Sequence, residues 1–202
     1  MTSTLKITIM SAALAILALP VVAQTTQSTP VNGQTIQERK ENQQDRIANG
    51  VKNGQMTAGE TTSLEKKEAT INQEEREMRT LDNGKLTSAD KATLNQQQNQ
   101  VSHQIYQDKH NGATQNADPK SEVGKRAENQ QDRIANGVKD GQLTAGETAN
   151  LEKKEAAINK EVRTDRSANG GKLTPQEKAK VNRQQNKVSH QIYRDKHNGR
   201  HQ

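Results

Sequence analysis

Residues 41–61 read ENQQDRIANGVKNGQMTAGET, and residues 128–148 read ENQQDRIANGVKDGQLTAGET. Each stretch ends in a G-x-[LM]-T-x-x-E turn, with Gly54, Thr57 and Glu60 in the first and Gly141, Thr144 and Glu147 in the second. Such a turn marks a helix start. The threonine hydroxyl accepts the N–H of the third helical residue, and a glutamate there bonds back to the threonine N–H. The glycine closes the preceding helix in a left-handed turn. The same pattern recurs 30 residues later in each copy, as NGKLTSAD at 83–90 and GGKLTPQE at 170–177. There the caps are Thr87 and Thr174, with Asp90 and Glu177 as their reciprocal partners. Pro175 stands at the first helical position, where proline is favoured.

Outward from these turns the whole chain is a duplication. Arg39–Gly112 aligns without a gap on Arg126–Gly199, an offset of 87, with 52 of 74 positions identical. Two copies of one unit follow from so clean a repeat. Apolar residues recur at heptad-like spacing, at Leu64, Ile71 and Met78, then Leu94, Val101 and Ile105. Their counterparts are Leu151 and Ile158, then Val181, Val188 and Ile192. About one large apolar residue per two turns makes a thin seam. The reading is an all-α fold with three helices per unit, over 39–52, 57–80 and 87–109, then 126–139, 144–167 and 174–196. Short Gly-containing turns make consecutive helices antiparallel neighbours. Two separate three-helix stacks and a single six-helix array both satisfy the pattern.

The organisation expected is a leader over 1–23, a disordered linker over 24–38, unit 1 over 39–112, a linker over 113–125, unit 2 over 126–199 and a tail over 200–202. Met1–Lys6 is short and carries one positive charge, and Ile7–Val22 is apolar. Val21 and Ala23 fit the −3 and −1 positions of a signal-peptide cleavage site. The mature chain is therefore expected in the periplasm or the medium. The apolar run is short for a membrane span. No cysteine exists to form a disulfide or carry a lipid.

Composition narrows the function. The chain has 30 Lys+Arg against 24 Asp+Glu, no Phe, Trp or Cys, and only Tyr106 and Tyr193 as aromatic residues. Opposite charges are interleaved, as on a solvated helical surface. A nucleic-acid partner is disfavoured by that interleaving and by the want of stacking aromatics. There is no G-x-S-x-G elbow, phosphate-binding glycine loop or H-E-x-x-H motif, so no enzymatic activity is expected. The run Leu64-Glu65-Lys66-Lys67-Glu68 reads as helix-stabilising surface charge.

Two metal readings stay open beside this one. The loop 49–60 resembles the second half of a calcium-binding EF-hand loop, with Asn49, Asn53, Thr57 and Glu60 at positions 1, 5, 9 and 12. The loop 136–147 offers Asn136, Asp140, Thr144 and Glu147. Val51 and Val138 stand where a third-position oxygen is needed, and Arg79 and Arg166 begin the other two loops. Calcium is the alternative cofactor, and none is the leading expectation. Zinc would fall to the pairs His103/His110 and His190/His197, but seven residues of helix separate two ligands by about 10 Å.

Leader, G-x-L-T-x-x-E turns and the segment Gln184–Asn198 together resemble small exported bacterial repeat proteins, some of them degenerate EF-hand proteins. The resemblance covers most of the mature chain and implies no particular activity. The composition, with 13 glycines and a mean hydropathy of −1.14, is similar to that of hydrophilins and implies a stress-protective role. The expected function is thus an exported, non-enzymatic helical repeat protein that acts by surface interaction with a macromolecular or envelope partner. The alternative is a protein that binds divalent cations. N-terminal sequencing of protein recovered from envelope or medium is expected to begin at Gln24. Recovery of the intact chain from cytoplasm would contradict the leader.

Overall fold

The structure is a computed structural model that describes residues 34–114 and 120–201. These lie in one compact unit, Val31–Gln202. The leader, most of the linker expected over 24–38 and residues 115–119 lie outside the described residues. The described part is all-helical, with six helices: α1 Ile36–Lys52, α2 Ala58–Leu81, α3 Ser88–His110, α4 Glu122–Lys139, α5 Ala145–Ala168 and α6 Pro175–Lys196.

The four expected capping boxes form at Thr57, Thr87, Thr144 and Thr174. A fifth caps α1, where the Thr35 N–H donates to Glu38 Oε2 at 2.7 Å. That helix thus starts at Ile36 rather than 39. Ser121 likewise caps α4 through the Gly124 N–H, so α4 starts at Glu122 rather than 126. The last four residues of the expected second linker are therefore helical.

Each unit seats its third helix on the other two, α3 on α1 and α2, and α6 on α4 and α5. The units then join in a single array. Equivalent helices meet, α1 with α4 and α2 with α5. This is the self-complementary contact of a twofold dimer, made within one chain. Two apolar clusters result. One gathers Ile47, Leu64, Ile71, Leu94, Val101 and Ile105, and the other their counterparts Ile134, Leu151, Ile158, Val181, Val188 and Ile192. Ala48 of α1 belongs to the second cluster and Ala135 of α4 to the first. Small side chains at this crossing let the two units share their cores, which offsets the shortage of large apolar residues in either one.

Glycines in the last turns of α1 and α4 answer a packing demand. A β-carbon at Gly137 would stand 2.7 Å from Leu143 Cδ1, and one at Gly50 would collide with Met56 Sδ. Leu143 and Met56 belong to the turns and are almost wholly buried, at 0% and 1% exposure. Helix propensity alone favours alanine over glycine by about 1 kcal/mol. The packing predicts the reverse for Gly137→Ala, a fall in melting temperature of several degrees, read by circular dichroism. A rise would mean that Leu143 has room to move.

Candidate functional site

Two stripes of α2 are buried. Leu64 and Ile71 belong to the core of unit 1. The second stripe runs Ala58, Thr61, Thr62, Glu65 and Glu68. Its counterpart on α5 runs Ala145, Thr148, Ala149, Glu152 and Glu155. Small residues early in each helix permit close approach, and each stripe then carries two glutamates. All four glutamates have 0% exposure, which corrects the surface reading of the Glu-Lys-Lys-Glu run. Lys66, Lys67, Lys153 and Lys154 stay toward solvent.

The carboxyls have few partners. Gln44 of α1 donates to Glu65 Oε2 at 3.3 Å, and Gln131 of α4 to Glu152 Oε2 at 3.1 Å. The other oxygen of Glu65 and of Glu152, and both oxygens of Glu68 and Glu155, accept no hydrogen bond. An ionised carboxylate so placed is costly, and the group stays protonated instead. Burial pushes Glu68 up to about 7, against the attraction of Lys40. It pushes Glu155 up to about 8. At Glu152 burial also raises the carboxyl to about 8; the Gln131 bond opposes this, and the like charge of Glu155 adds a smaller rise. Glu65 is raised well above the ordinary range by burial first, then by the charges on Glu68 and Glu152. Glu65 therefore feels its own counterpart across the joint between the units. Ala127 stands where α1 has Lys40, so Glu155 lacks the cation that acts on Glu68.

The calcium-loop candidates fall elsewhere. Asn49 and Asn136 lie in the last turns of α1 and α4, and Asn53 and Asp140 are the C-caps of those helices. Thr57 and Thr144 are N-caps. Glu147 Oε2 accepts from the Thr144 N–H at 3.0 Å and from its hydroxyl at 2.7 Å. Glu147 Oε1 accepts from Asn198 at 2.7 Å, and the Arg200 guanidinium lies 3.8 Å away. Burial would raise the Glu147 carboxyl, but these bonds hold it below its usual range. Glu60 is engaged in the same way by Thr57 and by Asn111, at 2.6 Å. Both twelfth-position carboxylates thus serve helix capping and tie the end of α3 or α6 to the start of α2 or α5.

The histidines are exposed. His110 and His197 stack on Tyr106 and Tyr193 of the preceding turn, with ring centroids 4.3 Å apart. Among the described residues no three His, Asp or Glu side chains converge as metal ligands would, and no helix is long and apolar enough to cross a membrane. No protein-family model, no curated protein and no solved structure matches the chain.

Because the Glu60 and Glu147 oxygens already have partners, a calcium ion would have to break a capping box to enter. Millimolar calcium is expected to leave the melting temperature unchanged, in the wild type and in Glu147→Gln alike. A calcium-dependent rise that Glu147→Gln abolishes would assign these loops to metal binding.

Proposed function

We propose that this is an exported, non-enzymatic helical protein that protects envelope components by surface interaction and is built to hold its fold in acid. The observation that supports the reading is the buried glutamate quartet at the joint between the units. Compartments outside the inner membrane follow the pH of the surroundings. A protein that works there under acid stress gains from a fold that tightens as protons become available.

The energetics follow by linkage. A carboxyl with a raised folded pKa stabilises the fold fully below its unfolded value, 4.5 for glutamate. That stabilisation is lost as pH rises through about 7 for Glu68 and about 8 for Glu152 and Glu155. Each tenfold gain in proton affinity on folding is worth about 1.4 kcal/mol, so several kcal/mol of a typical total of about 5–15 kcal/mol are at stake. The opposite holds for Glu38, Asp90, Glu122, Glu147, Glu161 and Glu177, whose pKa values are lowered. Their contribution is present above the ordinary carboxylate range and is lost below it. The two sets together place maximal stability near pH 5, more acid than the centre of the usual range of about 5 to 8.

Melting followed by circular dichroism is expected to be roughly 10 °C higher at pH 5 than at pH 8.5. Glu65→Gln combined with Glu152→Gln, which removes two charges and little volume, is expected to raise the pH 8.5 value and leave the pH 5 value nearly unchanged. A maximum at pH 7–8 would overturn the acid part of the proposal. For the protective part, the mature protein is expected to suppress light scattering by an acid-aggregating client at pH 5, and absence of suppression would overturn it.

A further inference from the structure

The third helices of the two units, α3 and α6, are nearly identical over most of their length. From residue 95 to 110 the only differences are Gln96, Gln100 and Gln107, against Arg183, Lys187 and Arg194 in α6. One turn earlier Thr93 corresponds to Lys180. Every one of these changes turns a neutral polar residue into a base. All four bases are exposed, and their spacings of three, four and seven put them on one face of the helix. His190 and His197 fall on the same face and are exposed as well. The core face of α6, with Val181, Gln185, Val188 and Ile192, points the opposite way.

We infer that this outer face of α6 is a docking ridge for a linear acidic polysaccharide, lying along the helix beside the α5–α6 groove. The inference rests on the reading of the protein as one that acts by surface interaction, and it names the surface and the partner. The ridge from Lys180 to Arg194 spans fourteen residues, about 21 Å at 1.5 Å per residue. Its charges follow each other in single file, as suits a chain polymer with one acid per sugar ring. Lys180 shares its charge with Glu161, 3.0 Å away, while remaining mostly in solvent.

The neighbouring groove fits sugar rather than lipid or nucleic acid. It holds about 270 Å³ and is lined by Lys154, Ile158, Gln184, Lys187, Val188 and Gln191. Lys187 belongs to groove and ridge alike. Ile158 and Val188 offer an apolar floor for the C–H face of a sugar ring. The Gln191 amide, whose oxygen accepts from Lys154, keeps its N–H donors for a hydroxyl group, while Gln184 is held by Glu161. A bilayer would ask for an apolar face to insert, and the one large exposed hydrophobic residue on α6 is Tyr193. A single-stranded nucleic acid would ask for successive aromatic platforms, and Tyr193 is already stacked on His197.

The test uses heparin as the polysaccharide probe, with the mature wild-type protein and two variants. The first carries Lys180→Thr, Arg183→Gln, Lys187→Gln and Arg194→Gln, so that α6 takes the residues α3 already bears. The second adds Thr93→Lys, Gln96→Arg, Gln100→Lys and Gln107→Arg, which moves the ridge to α3. At about 50 mM NaCl the wild type is expected to bind heparin and to elute as salt rises. The first variant is expected to bind at least roughly tenfold more weakly, with unchanged helicity and melting, and the second to recover binding. Binding of the first variant within about twofold of wild type would overturn the ridge. Tighter wild-type binding to anionic vesicles or duplex DNA at the same salt would overturn the choice of partner. Failure of heparin binding with the pH–stability profile intact removes the ridge and leaves the proposed function standing. Failure of that profile and of client protection, with heparin binding lost only in the first variant, does the reverse.

Discussion

The desolvation of four glutamates between α2 and α5 is the constraint on which the rest of the arrangement depends. Each unit alone has a thin apolar seam. The units combine by laying α1 on α4 and α2 on α5, and the second of these contacts places Glu65, Glu68, Glu152 and Glu155 out of reach of water. A joint of this kind is compatible with burial only while the carboxyls keep their protons. Small residues earlier along both helices let the backbones come close, and Gln44 and Gln131 supply the few hydrogen bonds the carboxyls receive. Ionising these carboxyls therefore weighs against the joint, so proton supply and the stability of the array are linked.

The same physics separates the acidic residues of this chain into two populations. Those at helix starts, such as Glu38, Asp90 and Glu177, accept bonds from the backbone and hydroxyl of a capping threonine and are held ionised. Those at the joint are held neutral by burial. Residue type is identical or nearly so, and environment alone sets the opposite directions. The outer helices carry a further division. α3 and α6 share their core-facing residues almost entirely, yet α6 carries bases on its outer face where α3 has neutral residues. Duplication supplied a scaffold whose inner faces must match, while the outer faces were left open to diverge.

Much of the fold was legible because it rests on local chemistry. Thr57, Thr87, Thr144 and Thr174, each with an acid three residues on, announce helix starts that need no tertiary context. The seam residues Leu64, Ile71, Leu94 and Val101 likewise follow from spacing alone. The start of α1 is harder to see because Thr35 and Glu38 sit at the edge of a polar, low-complexity stretch. The site was far less legible. Glu65-Lys66-Lys67-Glu68 has the composition of a solvated face, and nothing local distinguishes it from one. Its burial comes from a partner helix 87 residues away in sequence, through a contact between like stripes. One signal does point to it: Ala58, Thr61 and Thr62 continue the stripe toward the helix start with small residues, as a close helix crossing requires. In the turns, by contrast, the calcium-like pattern and the capping pattern share their threonine and glutamate. The hydrogen bonds of Glu60 and Glu147 are those of the capping pattern.

The most direct measurement is a carbon-detected NMR titration of the glutamate side-chain carboxyls in the folded protein. The carboxyls of Glu68, Glu152 and Glu155 are predicted to take up their protons near or above neutral pH and that of Glu65 well above the usual glutamate value, while those of Glu38, Glu147 and Glu177 titrate below that value. Titration of all four joint carboxyls below about pH 5, with the array still folded, would contradict this, because glutamates that ionise there without unfolding the protein are not desolvated.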